Sequence, residues 1–198
     1  MIETKSYMGP RPKPRLFALV IGIGKYALKQ FSDLPGAVPD ANEVANWLVE
    51  DLNVPRNQVS LITDEAASRG GIISALEAFR SDDRIHRGDP IFIYYAGHGS
   101  SIPSPDDWEC GGPDRKIQIL VPQDYSPEHG IDGILDHVLG WLIDGIAEEK
   151  GNNIVSTPQF YFQYRCSPIW FVDCCSRLLS LGFWYKERRF HPRSLRRT

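Results

Sequence analysis

Residues 15–26 read RLFALVIGIGKY. From Leu16 to Ile21 every residue is apolar, with no polar position at the alternate places where a half-solvated strand would show one. Such a run is a strand buried on both faces, and the glycines that follow end it in a turn. A sheet buried twice needs helices on both sides.

The flanking sequence supplies them. Asp40 to Leu52 sets Val44, Trp47, Leu48 and Leu52 at helical spacing. VSLIT (59–63) is a second strand and GGIISALEAF (70–79) a second helix. PIFIYYAGHGS (90–100) is a third buried strand running into a glycine-flanked His98, IQILVP (117–122) is a fourth, and Ile131 to Glu149 is a helical stretch. Strands alternating with helices build βαβ units, so the fold class is α/β, a mainly parallel sheet flanked by helices on both faces. Residues 1–14, with three prolines, are a flexible leader. In such sheets function collects at the carboxyl edge of the strands.

Bulk composition narrows the classes. The chain has 198 residues, enough for one domain, and its 42% hydrophobic and 24% charged content is that of a globular protein rather than a disordered one. A net charge of −3 gives no electrostatic basis for nucleic acid or an anionic membrane. The basic end, Lys186 to Arg197, reads as a solvated tail. No apolar run reaches membrane-spanning length and MIETKSYMGPRPKP lacks a signal-peptide centre, so the expected address is cytosolic or nuclear. Cys110, Cys166, Cys174 and Cys175 have no metal-ligand spacing, which leaves buried thiols or a nucleophile.

Three places could carry chemistry. Gly22, Gly24 and Ala27 fit a loose G-x-G-x-x-A dinucleotide pattern after a strand, but no helix opens directly behind it and VSLIT is followed by Asp64 rather than ending in an acid. His98 stands between two glycines just past a buried strand, exposed at the functional edge. Asp173-Cys174-Cys175 closes another apolar run, IWFV (169–172). A cysteine at one strand end beside a histidine from a neighbouring strand makes a dyad in which imidazole is base for the thiol and acid for the leaving amine. The bland alternative is a pair of core thiols.

With these elements in place the chain resembles the large-subunit region of caspase-like cysteine peptidases, in particular the metacaspases of fungi and plants. The matching stretches are RLFALVIGIGKY, LPGAVPDANEVANWL (34–48), YYAGHGS (94–100), IQILVPQDY (117–125) and GNNI (151–154), so the resemblance covers residues 15–154. It implies peptide-bond hydrolysis through a Cys-His dyad, with protein or peptide substrates and His98 as general base. It implies Cys175 as the residue at the nucleophile's position and a backbone oxyanion hole near Gly99. Caspases that cut after Asp use an arginine in the segment matching LPGAVPD. This chain has Asp40 there, which with Asp173 implies cleavage after Arg or Lys. No cofactor is implied. Many metacaspases respond to calcium, and the loop SPDDWECGGPD (104–114) offers Asp106, Asp107, Glu109 and Asp114, acids that by themselves define no metal site.

The family's nucleophile motif is Asp-x-Cys-His-Ser-Gly, whereas Ser176, Arg177 and Leu178 follow Cys175. The genetic code accounts for the break. Written in degenerate codons and read one nucleotide later, SRLLSLGFWYK (176–186) permits Leu-Asp-Cys-Cys-His-Ser-Gly-Phe-Gly-Thr and then Lys or Arg. Shifted the same way, Asp173-Cys174-Cys175 permits Ile or Thr and two residues that are each Val or Ala. Val155-Ser156 can be encoded GTA-AGT, a splice donor, and Val172-Asp173 can be encoded GTA-GAT, which holds an acceptor AG. Residues 155–198 are therefore expected to translate a retained intron and then a shifted exon, which leaves the domain truncated at its C-terminus. A caspase-like module that binds partners without catalysis is the alternative.

Overall fold

The computed structural model of the chain describes residues 14–104 and 116–157. Strand β1 (Phe17–Gly22) leads to helix α1 (Ala37–Glu50), then β2 (Val59–Thr63), α2 (Arg69–Ser81) and β3 (Ile91–Ala96). After β3 the chain forms β4 (Gly99–Pro103), β5 (Lys116–Leu120), β6 (Ile134–Leu135), α3 (Asp136–Lys150) and β7 (Ile154–Thr157). Strands β2, β1, β3 and β7 lie in that order in one wholly parallel sheet.

The unbroken apolar run of β1 is explained by two cores. Leu16, Ala18 and Val20 point to one face, where they pack with Ala41, Ala45 and Leu48 of α1. Phe17, Leu19 and Ile21 point to the other, where Ile72 and Leu76 of α2 and Leu142 and Ile146 of α3 cover them. Side chains alternate across a strand, so one segment feeds both layers. Gly22 closes the strand because α1 rides directly over it: a Cβ there would lie 2.6 Å from the Ala41 methyl and 2.9 Å from the Ala37 carbonyl oxygen.

Helix α2 starts where two side chains take its free amide groups. The Ser68 hydroxyl accepts from Gly71 N–H at 3.1 Å, and Asp124 accepts from Arg69 N–H at 2.7 Å. The second bond ties the loop after β5 to the head of α2.

Two expectations need correcting. IQILVP does not add a parallel strand. Residues 116–120 pair antiparallel with β4 and with the two-residue β6 in a separate three-stranded sheet. A parallel neighbour requires a crossover, usually a helix, and here the chain turns straight from β3 into β4 at His98. The fourth parallel strand is instead β7, directly after α3. The stretch expected as one helix from Ile131 to Glu149 opens with a bridge from Ile131 to Ser126 and then β6, and the helix starts only at Asp136. The leader up to residue 13 lies outside the described residues.

Candidate active site

His98 sits two residues beyond β3, at the carboxyl edge of the parallel sheet. Its backbone is held from below by two tyrosines. The His98 N–H donates to the Tyr26 hydroxyl at 2.6 Å, and the Tyr95 hydroxyl lies 2.9 Å from the His98 carbonyl and 3.0 Å from that of Val121. The two phenols also bond to each other. Burial pushes the Tyr95 phenol well above its ordinary range and raises Tyr26 as well, so both stay neutral and serve as fixed donors and acceptors. Gly97 belongs to the same arrangement, since a Cβ on it would stand 2.5 Å from the Tyr95 hydroxyl.

The ring is positioned from above. The loop between β1 and α1 folds back through Leu34 N–H to Gly24 C=O at 2.8 Å and Ala27 N–H to Gln123 C=O at 2.9 Å. This brings Phe31 and Ser32 over the imidazole. Tyr26 and Phe31 flank the ring at centroid distances of 4.9 Å and 5.4 Å, and Tyr125 meets Phe31 edge-on at 5.5 Å. His98 Nε2 lies 2.8 Å from the Ser32 carbonyl oxygen. A carbonyl can only accept, so Nε2 carries a proton, and in the neutral ring the lone pair is on Nδ1. The arrangement is a histidine ring oriented by a backbone acceptor.

Removing the tyrosine hydroxyl tests the lower support. Tyr95→Phe removes the tyrosine donor from the buried Val121 carbonyl, while the His98 carbonyl still accepts from Val121 N–H at 3.1 Å, with an expected loss of about 1–3 kcal/mol of stability. If His98 is catalytic, kcat should fall in a competent chain while KM stays near its original value, because Tyr95 holds the His98 backbone. Urea unfolding and peptide kinetics check both halves. Unchanged values in both would remove the tyrosine pair from this account.

The other expected residues fall out as follows. Asp40 is exposed in the first turn of α1, close enough to Tyr94 of β3 that its charge helps, after burial, to raise that phenol. Gly99 is the exposed first residue of β4, beside His98. Cys175, Asp173 and the acids Asp106, Asp107, Glu109 and Asp114 lie outside the described residues. Among the described residues no cluster of three or more His, Cys, Asp or Glu could hold a metal ion, and no helix is long and apolar enough to cross a membrane.

The glycine turn after β1 is closed to a phosphate. Asp64, in a left-handed conformation at φ 43°, accepts from the N–H groups of Gly24 and Lys25 at 2.8 Å and 3.0 Å. A carboxylate already occupies the donors that an anion would need, and Gly22 is small because α1 presses on it. The dinucleotide reading therefore has no site in this turn.

Ser32, Tyr26 and Tyr95 were not legible as site residues. For Tyr95 the available signal is a tyrosine at an inward-facing place of a buried strand, because a buried hydroxyl must find a partner.

A parallel sheet covered on both faces, with a histidine held at its carboxyl edge, is the caspase-like α/β fold. The caspase-domain profile of peptidase family C14 matches residues 15–186, and the chain belongs to that family. It is 28% identical over 129 residues to metacaspase-1A of Aspergillus oryzae, covering 62% of this chain and 29% of that protein. With metacaspase-1A of Neurospora crassa it shares 28% over 137 residues, covering 65% and 29%. The chain thus spans about three tenths of the length of these relatives. A crystal structure of a Geobacter sulfurreducens protein superposes with a TM-score of 0.52 at 20% identity, covering 72% of this chain and 48% of the other, a likeness of fold.

Proposed function

We propose that the protein is a cysteine endopeptidase that hydrolyses peptide bonds through a Cys-His dyad, with His98 as the base and a preference for Arg or Lys before the cut. The observation that carries this reading is the tautomer of His98, fixed through Nε2 on the Ser32 carbonyl with Nδ1 left to accept a proton. In the first half-reaction Nδ1 takes the thiol proton and the sulfur attacks the peptide carbonyl carbon. The imidazolium then returns that proton to the departing amine as the C–N bond breaks, leaving a thioester. In the second half-reaction His98 deprotonates a water that attacks the thioester, and the thiol leaves with the proton. Backbone N–H groups near Gly99 and the nucleophile are assigned the oxyanion. Neither half-reaction calls for a cofactor.

Cys175 occupies the nucleophile's position in the chain as given, but without His-Ser-Gly after it. That chain is expected to be inactive, and activity belongs to a chain carrying the complete motif. The missing tripeptide also favours a second reading, a non-catalytic caspase-like module that binds partners. The two are separated with fluorogenic peptides on a chain in the shifted frame. Release after Arg or Lys that iodoacetamide abolishes is the expected result. Release after Asp instead sinks the specificity reading, and no release from any peptide favours the binding module.

A further inference from the structure

We propose that the exposed face of α1 continues the pocket assigned to Asp40 and holds a second basic side chain of the substrate, so that the protein favours segments carrying two arginines or lysines a few residues apart. The proposal rests on the peptidase reading and extends its substrate class from one basic residue to two. Asp40, Glu43, Trp47 and Glu50 follow one another at spacings of three, four and three, and all four are exposed. On a helix that spacing is a single stripe. It lies opposite the side of α1 that packs on β1, formed by Ala41, Ala45 and Leu48. Trp47 is 44% exposed and belongs to neither core. The helix carries three acids and no lysine, arginine or histidine, and Asp51 follows as its C-cap.

This face works against the helix that bears it. Glu50 and Asp51 stand where the helix dipole is negative, and the last turn has no basic residue to offset them. Asp40 and Glu43 are like charges one turn apart. Among the described residues no lysine, arginine or histidine forms a salt bridge with any of these four carboxylates. A guanidinium supplies what the face lacks, because it stacks on an indole and pairs with carboxylates beside it. Trp47 has Glu43 one turn before it and Glu50 one turn after, so a cation over the ring meets a carboxylate at either end. The distance also suits a peptide. Helix α1 opens over the end of β1, where Ala37 and Ala41 cover Gly22, and runs back along the sheet. At a rise of about 1.5 Å per residue, Trp47 lies about 10 Å beyond Asp40. An extended chain covers that length in about three residues. The second basic residue is therefore the third from the one held at Asp40.

The first test is binding, which the chain as given can perform without a nucleophile. Fluorescein-labelled Gly-Arg-Gly-Gly-Arg-Gly is titrated with the protein and followed by anisotropy, beside the same peptide with citrulline for both arginines. The arginine peptide is expected to bind at least about tenfold more tightly and to weaken as salt rises. Trp47→Ala should lower its affinity about threefold, and Glu43→Gln with Glu50→Gln about fivefold. Thermal melts of these variants should stay near the parent, since the side chains lie outside the core. Trp141→Ala, at an indole 67% exposed on α3 across the sheet, should leave binding unchanged. Equal affinity for the citrulline peptide, or a loss at Trp141 as large as at Trp47, overturns the proposal. So does a dimer in sedimentation that Trp47→Ala dissolves, because a second copy then occupies the face. The second test uses the frame-joined chain, which carries the complete nucleophile motif. There Trp47→Ala should raise KM about threefold for a reporter with two arginines and leave a one-arginine reporter unchanged. Cleavage after Arg without that difference overturns the second site and keeps the peptidase reading. Binding along α1 with no cleavage keeps the site and overturns the peptidase reading, so the two failures are told apart.

Discussion

Replacing His98 by alanine in the frame-joined chain should lower kcat on an Arg-containing peptide by at least about 10³-fold, with KM changed little. In the proposed mechanism the imidazole acts twice, as base for the thiol and as acid for the amine, so its loss would remove both proton transfers. The fold should survive. The ring lies at the edge against Tyr26 and Phe31, and the tyrosine hydroxyls bond to the His98 backbone, which alanine retains. Steady-state kinetics with a thermal melt as control measure both halves. A melt within a few degrees of the parent, paired with near-parental kcat, would falsify the role of His98. The pH profile gives a second readout: the limb due to an essential base should vanish from the residual activity of His98→Ala.

The sheet and its two covering layers were readable because β1 wears its burial openly. Leu16 to Ile21 is apolar at every place, and that pattern has few structural solutions. The place of His98 at the sheet's carboxyl edge was readable from its position between glycines just past a buried strand. Strand direction was not readable at IQILVP. Its apolar content fits either a parallel or an antiparallel neighbour, and the choice is made by a turn at His98 rather than by any residue of the strand. The anchor of the imidazole was hidden more deeply. Ser32 acts through its carbonyl, a group that every residue carries, so no residue type announces it. The tyrosine pair joins Tyr26, in the loop after β1, to Tyr95 in β3, a contact that exists only after the two strands have paired. The glycine turn shows the converse error: a fingerprint on paper that Asp64 fills in three dimensions.

Asp40→Asn should reduce kcat/KM on an Arg peptide by about 10- to 100-fold and leave a peptide with a neutral residue before the cut almost unaffected. The range is that of one hydrogen bond to a charged group, about 1.5–3 kcal/mol. Asp40 is suited to this because it is exposed in the first turn of α1 and lies near Tyr94, toward the carboxyl end of β3 and so on the side of the sheet where His98 stands. Its charge is available to a ligand: among the described residues no arginine or lysine forms a salt bridge with it. A guanidinium can engage both oxygens of a carboxylate in parallel, whereas an ammonium is a point charge. The expected loss is therefore larger for Arg than for Lys. Asparagine keeps the shape of Asp40 and removes only the charge, so α1 and its packing on Gly22 stay as they are. The check is the ratio of kcat/KM between the Arg and neutral peptides in parent and variant. An unchanged ratio would place the basic-side-chain pocket elsewhere, and a collapse of both values together would mean that Asp40 supports the fold rather than reads the substrate.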